Sequence, residues 1–344
     1  MYVLIQVLRG LAALIVVLHH ALTPADGIPV DQTYFHFGAA GVDIFFVISG
    51  FIIYTSTISR SQSPGDFFLR RAARIFPPYW AATLLLIATH LVLGMQRDMV
   101  LSTSHVIQSF LLIAHDSPTE PGRPYPLLIP GWTLQYEIFF YALFALALFF
   151  RQAAALGFIT ATLVGLVLLG AVVGAPVDQV AFNVYTNPLL LEFLAGIFIG
   201  VLANRQPRIF GAAFALLIPA GFLLLAMSDH TDLPRMVEWG IPAIIIVFGA
   251  VAGENLKNRW RIPQFLVTLG NASYSIYLTH IITLGLVRGV FRKVFVDGVW
   301  WIPLFVVACV VASCLAGVLF YYLVEKPLVK GFTRIVSRPA RSRT

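Results

Sequence analysis

Arg9 and His20 are the first pair in the chain whose types and spacing point to chemistry. In a helix the eleven steps between them leave an offset of about 20° and a separation of roughly 16 Å along the axis, so both side chains stand on one face. His19 lies about 80° away from Arg9 on the same geometry. Further along, FFLRRAARIFPPY at 67–79 carries Arg70, Arg71 and Arg74. Arginines at that spacing offer several forked donors to phosphate oxygens, although the same stretch also serves as a plain positive-inside signal. Asp43, Glu137, Glu192 and His280 each interrupt an apolar run. Ionisable groups are costly in lipid, so they should face a protein interior or a wet cavity. A histidine among carboxylates suits general-base work near neutral pH. It equally suits a structural role, in which buried pairs lock helices together.

The elements that must position these groups follow from composition. Of 344 residues, 59% are hydrophobic and 11% charged, against about a quarter charged in a soluble domain. The chain therefore reads as an all-α polytopic membrane protein. Apolar runs of spanning length predict about ten transmembrane helices, near 3–22, 38–58, 77–95, 132–150, 155–173, 186–203, 210–227, 237–252, 265–287 and 300–324. The piece 104–113 is too short to span and reads as a re-entrant or interfacial helix capped by Ser104. The first run lacks a small-residue cleavage site and carries polar residues foreign to a signal peptide, so it is expected to stay, as a functional span or only as an anchor. With the N-terminus inside, most of the 23 Lys and Arg fall in inner loops and the tail, which puts both termini in the cytoplasm. The net charge of +7 is then a topology signal, and no nucleic-acid partner is expected. Residues 1–330 read as a single transmembrane domain and 331–344 as a basic cytoplasmic tail, disordered and lying against anionic membrane lipid. The loop 96–131 carries Pro118, Pro121, Pro124, Pro126 and Pro130 and reads as a stiff, extended cover, functional or merely connecting.

That orientation assigns depth. His20, Asp43, Glu137, Glu192 and His280 fall in the outer half and are candidates for one polar cluster. Arg9, Arg71, Arg74, Glu325 and Lys326 fall near the inner face. Tyr277 and His280 share a helical face at i, i+3. Gly41, Ser49 and Gly50, and Gly196 and Gly200, read as sites of close helix packing. Cys309 and Cys314 stand about 140° apart on a helix and read as packing thiols. No metal motif includes them, and none is expected.

With these residues in order, the sequence resembles the membrane-bound acyltransferase 3 family, and most of all its ExoZ-like exopolysaccharide-acetylating branch. The motifs are LRGLAALIVVLHH with Arg9, Gly10 and His20; FGAAGVDIFFVISGFII with Gly41, Asp43, Phe45, Phe46, Ser49 and Gly50; and FLRRAARIFPPY with Arg71 and Arg74. WTLQYEIFFY with Trp132, Glu137 and Tyr141, LLLEFLAGIFIG with Glu192, ASYSIYLTH with Ser273, Tyr274, Tyr277 and His280, and YYLVEKP with Glu325 and Pro327 complete the run over residues 8–327. The resemblance implies a cytoplasmic acyl-CoA donor, usually acetyl-CoA, and a sugar hydroxyl acceptor on a glycan or lipid-linked oligosaccharide of a bacterial inner membrane. It places the family's histidine on His20 and its arginine pair on Arg71 and Arg74. Some relatives carry an extra esterase-like domain, for which this chain has no room.

The expected mechanism follows from both readings. Arg71 and Arg74, with Arg9, hold the phosphates of acyl-CoA, and the pantetheine arm brings the thioester to His20. His20 takes the acceptor's proton, Glu137 or Asp43 stabilises the imidazolium, and Trp132 or Tyr277 steadies the oxyanion. Glu192, His280 and Glu325 support the substrate or the structure. An acyl-enzyme on His20 or a serine is the two-step variant. Two other classes stay open: a proton-coupled carrier, and a non-catalytic subunit of a polysaccharide export complex. The oligomeric state is open, and a homo-oligomer is compatible with the sequence.

Overall fold

The computed structural model describes residues 2–24, 30, 35–58, 62–96, 98–174, 176, 178–206, 211–228, 233–254, 261–295 and 299–336. The helices, in chain order, are α1 (Val3–Leu22), α2 (Gly41–Ile58), α3 (Pro64–Leu93), α4 (Thr103–Leu111), α5 (Gly131–Ala147), α6 (Gln152–Val173) and α7 (Val180–Tyr185). They continue with α8 (Leu190–Arg205), α9 (Leu217–Ser228), α10 (Ile241–Ala252), α11 (Gln264–Asn271), α12 (Ser273–Val294), α13 (Ile302–Phe320) and α14 (Lys326–Val336). Among the described residues seven helical stretches are long and apolar enough to cross a membrane, and Ala213–Ser228 and Met236–Ala252 are shorter apolar helices. The chain is a polytopic, all-helical membrane protein among its described residues.

The helices pack as two compact units: Met1–Ser59 with Leu191–Leu319, and Arg60–Leu190 with Phe320–Thr344. In the first unit α1 runs against α2, α11 and α12, and α10 packs on α9 and α2. Ile5, Leu8, Ala12, Ile44, Val47, Phe51, Ile246 and Val247 form its core. The N-terminus of α1, whose first N–H groups have no intrahelical acceptor, is closed by Glu254: its carboxylate accepts from the Val3 and Leu4 amides at 2.7 and 3.0 Å.

Small residues let the helices of this unit approach closely, as the sequence predicts. A Cβ at Gly50 would fall onto the Phe193 carbonyl oxygen, and one at Gly196 onto the Val47 carbonyl oxygen. Backbone cannot yield there as a flexible side chain would. Gly196→Ala is expected to cost about 1–3 kcal/mol by forcing α2 and α8 apart. Thermal unfolding in detergent checks this, and an unchanged midpoint would refute the contact.

In the second unit α3 packs on α5 and α14. Here three expectations are corrected. The third span was placed at 77–95, but α3 starts at Pro64, with Ser63 as N-cap accepting from the Asp66 amide at 3.1 Å. Pro77 and Pro78 sit inside the helix, and the Ser-Pro start is what outweighs them as a boundary signal. The short helix is capped by Ser102, whose Oγ accepts from the His105 amide, and not by Ser104, which lies within its first turn. The loop is also more than an extended cover. Tyr79 Oη donates to Ser109 O at 3.0 Å, Trp80 Nε1 to Phe110 O at 2.8 Å, and the Leu127 amide to Ser109 Oγ at 3.0 Å.

Two further boundaries differ. The run 265–287 is two helices, broken where Ala272 leaves helical geometry at φ −85°, ψ 1°. Helix α14 continues to Val336, so 331–336 are helical where a disordered tail is expected; 337–344 lie outside the described residues, as do Arg60, Arg97, Arg208, Lys257 and Arg259. π-helical turns at Met236–Gly240 and Tyr321–Glu325 precede α10 and α14. Such turns hold one extra residue and reorient the side chains around it.

Candidate active site

In the first unit the end of α1 presents His19 and His20, neither fully buried. The His20 ring lies 5.2 Å, centroid to centroid, from that of His280 on α12. His280 is 0% exposed. Its Nδ1 is 2.6 Å from the Tyr277 carbonyl oxygen, which only accepts, so Nδ1 carries the proton and Nε2 holds a lone pair. That Nε2 has no hydrogen-bond partner among the described residues. Helix α12 also supplies Arg288, whose Nη2 donates to the carbonyl oxygens of His20 at 2.6 Å and Thr23 at 3.1 Å. These are orphan carbonyls of the last turn of α1, and a guanidinium there both satisfies them and complements the helix dipole. One helix thus places a ring against the His20 imidazole and a cation on the backbone that carries it.

At the other end of α1, Arg9 is buried and donates to Gln6 Oε1 at 3.1 Å, while Gln6 Nε2 donates to Asn271 Oδ1 at 2.9 Å. The geometry of α1 keeps Arg9 and His20 at opposite ends of one continuous helix, as the spacing requires.

Asp43, in the first turn of α2, is 0% exposed and is held by Arg235. Arg235 Nε reaches Oδ1 at 3.2 Å and Nη2 reaches Oδ2 at 2.7 Å, a two-pronged pair. Arg235 also stacks 4.5 Å from the Trp239 ring centroid. Glu192 on α8 is 0% exposed and lies beside Asp43, within reach of the Arg235 charge. His20, His280, Asp43, Glu192, Tyr277 and Arg9 therefore all belong to this unit.

The remaining sequence candidates belong to the second unit. Tyr141 Oη donates to the Glu137 carboxylate. The Arg71 guanidinium lies 5.6 Å from the Phe67 ring and 5.8 Å from the Tyr141 ring, and the charges of Arg71, Arg74 and Glu137 all act on the Tyr141 hydroxyl. Membrane depth was expected to separate Arg71 from Glu137. Because α3 starts at Pro64, Arg71 is already two turns into the helix, and both groups flank one phenol. Trp132 packs edge-on to Tyr136 at 5.9 Å. Glu325 is buried in the π turn before α14. Among the described residues no cluster of His, Cys, Asp or Glu has the form of a metal site.

The same unit pairs His105 and His115, with Nδ1 of the first 2.8 Å from Nε2 of the second. His115 Nδ1 is 2.7 Å from the Ile113 carbonyl oxygen and so donates to it; its Nε2 accepts from His105 Nδ1–H. Burial, and then His115, hold the His105 pKa below the ordinary histidine value. Protonation therefore favours the unfolded loop. The stability this pair lends is full above the unfolded value of about 6.5 and is lost as the pH falls through it towards the folded value. Hydrogen exchange across 103–117 should quicken below about pH 6, and His105→Gln should flatten that dependence. Equal pH dependence in the variant would assign it elsewhere.

A family model described as an acyltransferase domain, that of the acyltransferase 3 family, matches residues 2–321. The chain belongs to the acyltransferase 3 family. It is 35% identical over 306 residues to the exopolysaccharide production protein ExoZ of Rhizobium meliloti (strain 1021), covering 87% of this chain and 93% of that one. It is 28% identical over 367 residues to nodulation protein 10 of Rhizobium leguminosarum bv. viciae, covering 97% and 95%. A Staphylococcus aureus (strain COL) protein whose name proposes O-acetyltransferase activity is 23% identical over 369 residues, and the chain spans 58% of its length. No solved structure matches. As a member of the acyltransferase 3 family the protein is a membrane acyltransferase, and its likeness to ExoZ agrees with the branch that its motifs resemble.

Sequence reasoning missed Arg235, Arg288 and Glu254. Arg288 was placed in an outer loop because the ninth span was ended at 287; α12 runs on to Val294. An arginine within that helix would have been flagged as an intramembrane charge needing a partner. Arg235, directly before the apolar run at 237, carried no such signal.

Proposed function

We propose that this acyltransferase transfers an acetyl group from acetyl-CoA, on the cytoplasmic side of a bacterial inner membrane, to a sugar hydroxyl of an exopolysaccharide or its lipid-linked precursor. The observation that carries this reading is the setting of His20. Its imidazole lies against the buried His280 ring, and its own carbonyl is gripped by Arg288. A base held in place by its backbone and a neighbouring ring is prepared for proton transfer. The motif match and the likeness to ExoZ support the acceptor class.

In this reading His20 takes the proton as the acceptor oxygen attacks the thioester carbonyl. Arg71 and Arg74 hold the donor's phosphates, since forked guanidinium groups suit phosphate oxygens. Of the two carboxylates that the sequence offers, Asp43 shares the unit of His20 and supplies the negative charge that compensates the imidazolium. Of Trp132 and Tyr277, Tyr277 shares the unit of His20 and is the oxyanion donor, and Glu192 and His280 support the site. Helix α5 and the two shorter apolar helices also cross the membrane, which makes ten crossings and leaves both termini cytoplasmic.

Mass spectrometry of surface polysaccharide from cells with and without the gene tests the reading directly. Loss of an acetyl mass is expected, and an unchanged polysaccharide would refute it. Arg71→Ala should raise the acetyl-CoA concentration needed for half-maximal rate by about tenfold, the worth of roughly one charge-assisted contact, and leave acceptor dependence alone. Equal weakening towards both substrates would contradict a phosphate-binding role. A carrier, by contrast, would release no free CoA thiol from purified protein.

A further inference from the structure

We propose that His19 and His36 form a proton relay that connects His20 to solvent. Four of the chain's eight histidines stand in one file within the first unit. His280 lies 5.2 Å from His20, His20 lies 5.1 Å from His19, and His19 lies 6.0 Å from His36, all between ring centroids. The file begins at a side chain with no exposure, His280, and ends at His36, which is exposed at the start of the turn before α2. Centroid spacings of this size leave ring nitrogens roughly 3–4 Å apart when the rings turn towards each other, within reach of a direct bond or one bridging water. His19 Nδ1 is 3.3 Å from the Phe35 carbonyl oxygen, to which it donates, so its Nε2 carries the lone pair that can accept a proton.

The end of α1 favours a passing positive charge, and the cations beside it keep that charge from resting there. His19 and His20 occupy the last turn of α1, the negative end of the helix dipole. Among the described residues the charged groups facing the file are Arg288, which bonds the His20 carbonyl, and Arg235, which stacks on Trp239, itself 5.1 Å from His36. Asp43 and Glu192 lie beyond Arg235. Tyr277 flanks His280 at 5.7 Å. Adjacent imidazolium ions repel, so the file carries one extra proton at a time and passes it on.

The relay rests on the reading of His20 as the base, and its chemistry balances. The acceptor O–H bond breaks as the new oxygen–acyl bond forms, and the hydroxyl proton goes to His20. The carbon–sulfur bond of the thioester breaks, and the thiolate of CoA takes a proton from solvent on its own side. The His20 imidazolium hands its proton through His19 and His36 to solvent at the exposed end, which returns His20 to its neutral form.

The test uses the full-length protein in detergent with acetyl-CoA and chemically de-O-acetylated polysaccharide from the source cells, and reads release of CoA thiol. His36→Ala and His36→Gln should each slow turnover by about tenfold in weakly buffered solution, within the usual range for losing a proton-transfer group. Added imidazole should restore the rate, the solvent deuterium isotope effect should rise, and KM for acetyl-CoA should stay put. His19→Asn should behave alike. Variants with the wild-type rate and isotope effect would overturn the relay, and so would a loss that imidazole does not repair, which would mark a packing role. His20→Ala in the same assay separates the two ideas. If it retains turnover, the base assignment falls and takes the relay with it. If it abolishes turnover while the His36 variants match wild type, the relay alone is wrong.

Discussion

His20→Ala is expected to lower acyl transfer by roughly 10²–10⁴-fold, the usual contribution of a positioned general base. The effect should sit in kcat, because the side chain acts on the reacting proton and not on the donor's phosphates. Release of CoA thiol by purified protein measures it. The fold should survive the change: His20 is only half-buried, and the bonds from Arg288 go to backbone carbonyls that alanine keeps. An unfolding midpoint close to wild type together with lost turnover is the predicted pattern. Turnover within a few-fold of wild type would remove His20 from the mechanism. His19, one residue earlier on the same turn, offers the comparison, since its loss should slow proton release without removing the base.

Arg235→Met should produce the largest loss of stability, about 3–5 kcal/mol, the cost of leaving a buried charge unpaired. Asp43 is wholly buried and takes two hydrogen bonds from Arg235. Glu192 lies beside it, carboxyl against carboxyl. Removing the guanidinium would leave two adjoining carboxyl groups buried without the cation that offsets them. The double variant Asp43→Leu with Arg235→Met should regain more than half of the loss, because desolvation of the carboxylate disappears with it. Equilibrium unfolding in detergent decides the matter. A single variant as stable as wild type, or a double variant no better than the single, would show that the pair does not hold α2 to the π turn before α10. The pair also braces Trp239 against His36, so its loss should disturb the imidazole file as well as the fold.

Much of this protein was decided by composition and period. A charge content this low, with continuous apolar runs of bilayer length, selects membrane helices over the alternating strands of a barrel as the way to satisfy the backbone. The eleven-residue step from Arg9 to His20 sets both on one face of α1 whatever surrounds it, because helical geometry is local. Gly50 and Gly196 were readable as contact points for the same reason: small residues on a membrane helix have few other uses. The ordered motifs from residue 8 to 327 anticipated the family that the model match establishes.

What neighbours what was decided only by tertiary packing. Nothing in the local sequence of α12 says that Arg288 reaches back to the end of α1, or that the unpartnered nitrogen of His280 belongs to the ring lying against His20. Asp43 and Arg235 are 192 positions apart, and a pair so distant leaves no periodicity to read. The bond from Tyr141 to Glu137 is an i, i+4 contact within α5, but the Arg71 guanidinium beside that phenol leaves no local mark, because its place depends on where α3 begins. Helix ends were the weak point throughout. Caps such as Ser63 and Ser102 act through single hydrogen bonds worth about 1 kcal/mol, whereas the apolar runs that reveal a span sum many small burial terms. The spans were therefore legible, their limits less so, and the charged residues lying just beyond those limits were resolved only by the packed structure.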